Sequence, residues 1–504
     1  MAANSNLGAS SSAAILGAGR SSAAILGAGR TSAAIIGAGS AGLTVLKALR
    51  AAGVPAVCFE RGSRVGGNWV FDNDNQQSRI YRSLRINTSR DRMQFADFPM
   101  PAEYPDYAGH EQVARYFEAY AEHFQLGPAI RFGALVTRVE RELDGYTVES
   151  QSRGGWGPSP NRERCDGPTG NDPEDAGPDG EVVREHFGAV IVANGHHWDP
   201  AYPDPPLPGR FDGLVMHSHD YIDPDLPHRL RDKRVVVVGI GNSAVDIASE
   251  LARAGAQVML SVRRGAWVLP KYVFGRPIDQ PGVIPEGLPD SLKTSLAELW
   301  YRLRIGPPAA YGLPAPDHRL GHAHPTLSDE LLPLLREGKI LARPALGRLE
   351  GDSVRFSDGL REPADALLYC TGYKVTFPFF DPSFVSAPNN ELPLYLRCFH
   401  LEHPRLMFAG LCQPLGAIMP LVEAQGRLFA GYLSGEYQLP ERSEMQRRTA
   451  VEREHVRRRF VSTPRHTMQV DFDRYLGDLQ RELRAGTRRY PSGNQQGGGE
   501  AGRI

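Results

Sequence analysis

Cysteine is scarce in this sequence, and its spacing excludes several classes of protein. The five cysteines form no C-x-x-C pair; they are Cys58, Cys165, Cys370, Cys398 and Cys412. This spacing gives no sign of a disulfide framework, a zinc site or a redox-active disulfide. The sequence therefore predicts a protein of the reducing cytoplasm that has no metal centre.

The chain also lacks a long hydrophobic run. No stretch of about 18 uncharged apolar residues occurs, and the nearest one, residues 414–433, contains Glu423, Gln425 and Arg427. The N-terminus has no basic region followed by an apolar core, so we expect neither a signal peptide nor a membrane anchor. The net charge of −1 over 504 residues gives no reason to expect nucleic acid as a partner.

What the sequence does contain is a complete dinucleotide-binding pattern. An apolar run at 33–36 leads into GAGSAG, which supplies Gly37, Gly39 and Gly42 in the spacing G-x-G-x-x-G. The first glycine allows a tight turn, the second lets a pyrophosphate approach the backbone, and the third lets a helix pack close to the sheet. Glu60 ends the next apolar run, where an acid can accept hydrogen bonds from a ribose.

A second pattern of this kind begins at Arg234. The run VVVV is followed by GIGNSA, in which Gly239 and Gly241 keep the first two positions and Ala244 replaces the third glycine. Where an acid would end the next strand, the chain carries Arg263 and Arg264. Because an arginine pairs with a 2′-phosphate and an acid repels it, the second nucleotide is predicted to be NADP rather than NAD.

Two dinucleotide folds in one chain favour FAD in the first and NADPH in the second. The sequence shows no nucleophile elbow, metal cluster or convincing carboxylate pair, which is typical of an enzyme whose cofactor carries the chemistry. The predicted fold class is α/β, with two Rossmann-like dinucleotide-binding domains. The FAD-binding domain is expected to be interrupted by a smaller NADPH-binding domain.

Repeats and composition predict how the chain is divided. Three similar decapeptides fill residues 11–40, and only the third completes the glycine pattern. No clear element is predicted for the proline-rich stretch 275–330, and a polar tail is expected from Arg481. The predicted segments are a repetitive mobile extension at 1–30, a first FAD-binding part at 31–199 with a low-complexity insertion at 150–181, the NADPH-binding domain at 200–370, a second FAD-binding part at 371–440, and a helical segment with the tail at 441–504.

Residues 211–221 read FDGLVMHSHDY and match F-x-G-x-x-x-H-x-x-x-Y. This pattern resembles the fingerprint of the flavin-containing monooxygenases, which are class B flavoprotein monooxygenases. Other stretches agree with that family: GAGSAG, GGNW, SLRINTSRDRMQFADFP, GIGNSAVD, YCTGYKVTFPF and QPLGAIMPLVEAQGR. The resemblance covers residues 33–440. The triplicated N-terminus, the insertion and the missing C-terminal membrane anchor of the vertebrate members depart from it.

The resemblance implies a role for each site residue. Asn87 matches the family's active-site asparagine beside the flavin, and the alternative is that it only braces its loop. His217 is expected to link the two domains rather than to transfer protons. FAD would be held by Gly37, Gly39, Ser40, Gly42, Glu60, Gly67 and Trp69, with Val136 near the adenine and Gln413 near the flavin. NADPH would be held by Gly239, Gly241, Asn242, Ser243, Ser261, Arg263 and Arg264.

The implied reaction is an NADPH- and O2-dependent monooxygenation through a C4a-peroxyflavin, which oxygenates the nitrogen or sulfur of a small nucleophile. NADP⁺ would stay bound and shield the flavin from water. Two alternatives stay open. One is Baeyer–Villiger oxygenation of a ketone, which Tyr221 in place of tryptophan argues against, and the other is an uncoupled NADPH oxidase. The sequence leaves open the substrate and the quaternary state, with a homodimer as the assembly considered.

Overall fold

The computed structural model describes residues 31–152, 180–280, 288–460 and 467–489, which form two layered α/β units. The first unit is built on a seven-stranded sheet in which five adjacent strands run parallel and two edge strands run antiparallel to their neighbours. In spatial order, beginning with the two antiparallel strands, they are Leu394–Tyr395, Phe399–His400, Leu406–Phe408, Ala189–Val192, Ala33–Ile36, Ala56–Phe59 and Ile130–Arg131.

The strand Ala33–Ile36 lies inside this sheet, and all four of its residues are buried. Its odd-numbered residues face a layer of helices, and its even-numbered residues face an antiparallel sheet. A parallel sheet that is covered on both faces needs such continuous apolar strands, because neither face meets water. The covering helices include Ser40–Ala51 and Met419–Ser434, and the antiparallel strands are Ala134–Arg141, Tyr146–Ser152 and Val182–Phe187.

The second unit is built on a five-stranded parallel sheet whose strands lie, in sequence, between the two halves of the first unit. The helix Asn242–Arg253 packs on one face of this sheet, and a four-stranded sheet packs on the other. In spatial order the parallel strands are Leu214–His217, Ala366–Tyr369, Arg234–Val238, Gln257–Ser261 and Ile340–Arg343; the covering strands are Arg361–Pro363, Ser353–Phe356, Leu346–Gly351 and Gly209–Phe211.

The chain passes between the units twice, and the two passages lie side by side. Asp199–Pro200, on the way into the second unit, pairs antiparallel with Tyr373–Lys374, on the way out. This arrangement confirms the predicted fold class, in which one Rossmann-like unit is interrupted by another.

The remaining elements are short strands and further helices. No helix within the described ranges is both long and apolar enough to cross a membrane. The other helices are Arg90–Met93, His110–His123, Asp290–Arg304, Leu331–Arg336, Arg442–Arg459 and Phe472–Arg489, and the other strand pairs are Val268–Leu269 with Thr326–Leu327, Tyr272–Val273 with Arg276–Pro277, and Gln413–Leu415 with Gln469–Asp471.

The helix Asp290–Arg304 lies in the proline-rich stretch for which no element is predicted. Its signal in the sequence is a row of leucines that follows the helical repeat. The leucines are between 44% and 75% exposed; they are Leu292, Leu296, Leu299 and Leu303. A repeat that faces solvent is easy to miss, because it defines no core.

The polar tail expected from Arg481 is wrong for residues 481–489, where the helix Phe472–Arg489 continues. Phe472, Tyr475 and Leu479 are buried on one face of this helix, at the spacing of an amphipathic helix.

The strands Tyr146–Ser152 and Val182–Phe187 pair antiparallel on either side of the expected insertion. The repeats at 1–30, most of the insertion (153–179) and the chain end at 490–504 lie outside the described residues.

Candidate active site

The first glycine turn connects the strand Ala33–Ile36 to the helix Ser40–Ala51, and two of its glycines are required by close backbone contacts. Gly37 has φ +104°, and a Cβ there would lie 2.6 Å from the carbonyl oxygen of Ala193. A Cβ at Gly42 would lie 1.8 Å from the carbonyl oxygen of Gly37. The tasks predicted for these two positions, a tight turn and close packing of the helix, therefore match the geometry.

The glycine between them faces a second glycine loop. A Cβ at Gly39 would meet only the Cα of Gly67, at 3.7 Å, and Gly67 itself has φ +56°. Gly39 is the N-cap of the helix that begins at Ser40, and no side chain caps this helix end. Trp69 ends a short 3₁₀ turn that starts at Gly67, and it is half-buried. The two loops leave backbone N–H groups at a helix N-terminus, which suits a pyrophosphate.

Glu60 lies at the end of the neighbouring strand and is 4% exposed. Its carboxylate accepts the backbone N–H of Ala38 and that of Gly62, both at 2.7 Å. Burial raises the pKa of Glu60, although these two N–H groups oppose the shift. Each carboxylate oxygen has two lone pairs, so acceptor capacity remains for a ribose hydroxyl.

Val136 and Gln413 lie on strands at the edges of the first unit. Val136 is 7% exposed and packs with Ile36 and Phe59. Gln413 is half-buried, and its backbone N–H donates to the carbonyl of Met468 at 2.8 Å. Val136 therefore presents an apolar surface, whereas Gln413 offers an amide.

The second glycine turn repeats the geometry of the first. Gly239 has φ +130°, and a Cβ there would lie 2.7 Å from the carbonyl oxygen of Cys370. Gly241 caps the helix Asn242–Arg253 without a side-chain hydrogen bond. The Asn242 side chain accepts the N–H of Leu327 at 2.9 Å, which fixes it at the helix start. This turn also provides an anion site at a helix N-terminus.

The strand Gln257–Ser261 ends in Ser261 and is followed by Arg263 and Arg264, and these three polar residues have different surroundings. Ser261 is 2% exposed, and its hydroxyl donates to Pro344 O and accepts the Leu346 N–H, both at 3.1 Å. The Ser261 hydroxyl proton is therefore already donated to a protein acceptor and is not free for a nucleotide. Arg264 forms an ion pair with Asp317, with its NH2 group 2.7 Å from the carboxylate. Arg263 is exposed and has no ion-pair partner among the residues described.

Asn87 lies in a loop that both units hold. The Thr88 hydroxyl contacts Gly416 O in the first unit at 3.4 Å, and the Ser89 N–H donates to Asp279 of the second unit at 2.6 Å. Asn87 itself is half-buried. Sequence reasoning missed Asp279, because the contact joins residues 190 positions apart.

His217, from the fingerprint pattern, lies beside both passages between the units. Its ring is 5.5 Å from that of Tyr202 and 5.4 Å from that of Tyr373. Burial, together with nearby His219, lowers the pKa of His217 to about 4. A histidine that is neutral at pH 7 and packed between two aromatic rings fits a linking role.

Comparison with known proteins decides the family. The family model described as flavin-binding monooxygenase-like matches residues 30–488. The chain belongs to this family. It is 35% identical to mouse flavin-containing monooxygenase 5 over 456 residues, which covers 86% of this chain and 79% of the relative. It is 33% identical to rat dimethylaniline monooxygenase [N-oxide-forming] 2 over 463 residues, covering 88% and 81% of the two chains.

Solved structures agree with this assignment. S-allyl-L-cysteine S-oxygenase from Allium sativum has a TM-score of 0.63 at 25% identity, with 90% of this chain and 88% of the other covered. A steroid monooxygenase bound to NADP has a TM-score of 0.63 at 16% identity, covering 91% and 99%, and shares the fold. This flavin-binding monooxygenase is an FAD-dependent enzyme that uses NADPH. Its two glycine turns fit two such dinucleotides, because each leaves an uncapped helix N-terminus beside a backbone that only glycine can form.

Proposed function

We propose that this monooxygenase transfers one oxygen atom from O2 to the nitrogen or sulfur of a small, soft nucleophile. The observation that carries the proposal is the Asn87 loop, which is anchored to Gly416 of the first unit and to Asp279 of the second. Because this loop contacts both units, it lies where a hydride donor on one unit and a flavin on the other would meet a substrate. The names of the rat and garlic relatives, an N-oxide-forming enzyme and an S-oxygenase, support both target atoms.

FAD is assigned to the first glycine turn. The uncapped N-terminus of the helix Ser40–Ala51 would bind its pyrophosphate, and the buried carboxylate of Glu60 would accept from its ribose. When bound there, FAD would supply the redox chemistry between NADPH and O2. The residues assigned to FAD are Gly37, Gly39, Ser40, Gly42, Glu60, Gly67, Trp69, Val136 and Gln413.

NADPH is assigned to the second glycine turn, at Gly239, Gly241, Asn242 and Ser243. Of the two arginines, Arg263 is the better placed to bind the 2′-phosphate, because Arg264 already shares its charge with Asp317. Ser261 would act indirectly, since its hydroxyl fastens the strand end to the neighbouring chain.

Asn87 is assigned the central role at the reacting centre. Its side-chain amide has two N–H donors and one acceptor, and it is half-buried in a loop with two fixed neighbours. The Asn87 amide would orient bound NADP⁺ and the oxygen to be transferred, because the neighbouring Thr88 and Ser89 hold its loop on the two units. The role assigned to Asn87 needs no general acid or base from the protein.

The test is a single turnover with the purified holoenzyme. The flavin is reduced with NADPH under anaerobic conditions, and oxygenated buffer is added with N,N-dimethylaniline, methyl phenyl sulfide or cyclohexanone. Flavin absorbance, oxygenated product and released peroxide are measured together. Stoichiometric product from the amine or the sulfide supports the proposal. Product from the ketone alone would indicate Baeyer–Villiger oxygenation, and matching peroxide without any product would indicate an oxidase.

We also propose that the protein forms a homodimer and is located in the cytoplasm. The exposed leucine row of the helix Asp290–Arg304 supports a second copy as partner, because contiguous exposed apolar side chains often mark an interface. The four cysteines within the described residues are all free, which supports a reducing compartment. Light scattering of the wild type and of Leu299→Glu tests the dimer. The charged side chain would interrupt the apolar surface of the leucine row, so the variant should be monomeric.

A further inference from the structure

A hairpin of the second unit, which begins at Lys271, reaches across to the first unit. Its strands Tyr272–Val273 and Arg276–Pro277 pair antiparallel, and the N–H of Ile278 donates to Lys271 O at 2.9 Å, which closes the base of the hairpin. The N–H of Lys271 donates to the Asp329 carboxylate at 2.9 Å, so the hairpin is fastened to the second unit. It therefore extends from that unit as a closed, hydrogen-bonded element.

Two side-chain hydrogen bonds connect this hairpin to the two stretches of the first unit that surround Asn87. Directly after the hairpin, the Asp279 carboxylate accepts the N–H of Ser89 at 2.6 Å. At the start of the hairpin, Lys271 O accepts the hydroxyl of Tyr107 at 2.7 Å. The second unit thus holds both the stretch that contains Asn87 and the stretch that runs beside it.

These two stretches are also hydrogen-bonded to each other on both sides of Asn87. The N–H of Ile86 donates to Ala108 O at 3.0 Å, and the N–H of Arg90 donates to Asp106 O at 2.7 Å. Asn87 therefore lies in a short loop whose two ends are fixed. The place of this loop in the molecule depends on the groups outside it that hold the two stretches.

The bond to Asp279 is stronger than the contact that Thr88 makes with the first unit. The N–H of Ser89 lies 2.6 Å from a charged acceptor, whereas the Thr88 hydroxyl contacts Gly416 O at 3.4 Å. The second oxygen of Asp279, Oδ1, is buried and has no hydrogen-bond partner among the described residues. A buried carboxylate oxygen without a donor costs free energy, so stability does not explain an acid here. What the acid provides is the short bond to Ser89.

We propose that Asp279 is a positioning residue, which places Asn87 relative to the nucleotide bound by the second unit. Through Ser89, the loop follows the unit to which NADPH is assigned rather than the unit to which FAD is assigned. This inference rests on the proposed function, because it takes Asn87 as the residue beside the reacting atoms. It assigns no chemical step to Asp279. Without Asp279, the Asn87 amide would no longer be fixed beside the nucleotide, and more of the O2 consumed would leave as hydrogen peroxide.

The test compares the holoenzymes of the wild type, Asp279→Ala and Asp279→Asn. Hydrogen–deuterium exchange of the peptide around Ser89 reports on the loop directly and needs no turnover. Exchange of the Ser89 N–H should be about tenfold faster in Asp279→Ala, the factor expected for the loss of one hydrogen bond to a charged group. Asp279→Asn keeps an acceptor but not the charge, so its exchange rate should lie between those of the other two proteins.

Turnover with methyl phenyl sulfide gives the second readout. In Asp279→Ala, the peroxide released per NADPH should rise and kcat for the sulfoxide should fall. The KM for NADPH should change little, because the glycine turn at Gly239 and the side chain of Arg263 are not altered. A general loss of stability would not separate kcat from KM in this way.

Asp358→Ala is the matched control. Asp358 also accepts a backbone N–H, that of Leu360 at 3.0 Å, but it does so in a turn within the second unit. This variant should match the wild type in both readouts. Tyr107→Phe removes the other bond to the hairpin and should change both readouts in the same direction as Asp279→Ala. It keeps the inference testable even if Asp279→Ala does not fold.

Wild-type exchange and wild-type peroxide release in Asp279→Ala would overturn the inference. Faster exchange of the Ser89 N–H without additional peroxide would also overturn it, because the bond would then hold the loop without affecting the reaction. A wild type that releases peroxide but oxygenates neither methyl phenyl sulfide nor N,N-dimethylaniline would instead overturn the proposed function. The exchange measurement does not depend on that outcome, so the two failures can be told apart.

Discussion

The carboxylate of Glu60 accepts the backbone N–H of Ala38 at 2.7 Å, so the end of one strand holds the glycine turn at the end of its neighbour. The second carboxylate oxygen accepts the N–H of Gly62 at the same distance. Glu60 therefore has a task in the protein itself, in addition to its assignment to the ribose of FAD. The shape of the turn depends on one buried acid, and so would the proposed recognition of the nucleotide.

Glu60→Gln is expected to weaken FAD binding and to lower stability together. A glutamine can accept one of the two N–H groups, but its NH2 group would face the other. A buried donor left without an acceptor costs about 1–3 kcal/mol, which corresponds to roughly a tenfold loss of affinity or more. Flavin content and thermal unfolding measure both effects. Glu185→Gln is the control, because Glu185 lies on the antiparallel sheet and pairs with Arg131. Equal flavin loss in both variants would contradict the assignment.

Two glycines of the same turn should respond differently to alanine. Gly42→Ala is expected to prevent correct folding, because its Cβ would lie 1.8 Å from a backbone oxygen that cannot move aside. Gly39→Ala should fold, since its nearest neighbour would be 3.7 Å away, but its Cβ would occupy the approach of the pyrophosphate. Soluble yield, melting temperature and bound flavin distinguish the two outcomes. A Gly39→Ala protein with full flavin content would argue against FAD at this turn.

Arg263 and Arg264 form a matched pair for testing the 2′-phosphate site. Arg263→Ala should raise the KM for NADPH about tenfold or more, as expected for the loss of a charge-assisted hydrogen bond, and should leave the KM for NADH unchanged. Arg264→Ala should have a smaller effect, because its guanidinium is already paired with Asp317. Steady-state kinetics with both nucleotides is the measurement. The reverse order of the two effects would place the phosphate at Arg264.

Glu482 is the clearest test of the C-terminal helix as part of the fold. Its side chain is 1% exposed and forms ion pairs with Arg448 and Arg489. Removing one partner of a buried ion pair costs about 3–5 kcal/mol. Glu482→Gln should therefore lower the melting temperature, whereas Asp478→Asn, in an exposed pair with Arg481 on the same helix, should not.

The effect of Glu482→Gln on the melting temperature should also depend on pH. Burial alone would raise the pKa of Glu482, but its ion pairs with Arg448 and Arg489 prevail and hold the pKa below its ordinary value of 4.5. A carboxyl group whose pKa is lower in the folded protein than in the unfolded chain stabilises the fold at any pH above its unfolded-state pKa. This stabilisation is lost as the pH falls through the folded-state pKa. The difference in melting temperature between wild type and Glu482→Gln should thus be full at neutral pH and shrink below pH 4.5. A constant difference down to acid pH would show that the carboxylate is not ionised in the folded protein.

The sequence predicts well what local chemistry determines. Gly42 is required by a contact inside one strand–turn–helix unit, so the glycine spacing identifies that unit, whereas the close contact at Gly37 is with Ala193, at the end of the neighbouring strand. The partners of Tyr81 and Arg264 could not be predicted in this way. Asp246 lies 165 positions from Tyr81, and Asp317 lies 53 from Arg264, and such contacts arise only when separate elements pack together.

The helix Phe472–Arg489 shows a different limit. Its charged residues outnumber the apolar ones and indicate a solvated segment, yet a narrow row of Phe472, Tyr475 and Leu479 is buried in the core of the first unit. Composition averages over the faces of a helix, whereas packing depends on one face. The period of the apolar residues was the informative signal, and it was hidden by the arginines around it.

The antiparallel pair formed by Asp199–Pro200 and Tyr373–Lys374 means that the second unit begins and ends at neighbouring points. A unit inserted in this way can be removed or exchanged without changing the distance that the flanking chain must span. Grafting residues 201–372 onto the stem of a related scaffold would also require the bonds that cross between the units, such as those of Ser89 with Asp279 and of Tyr81 with Asp246. The stem thus makes the second unit exchangeable only together with the residues of the first unit that contact it.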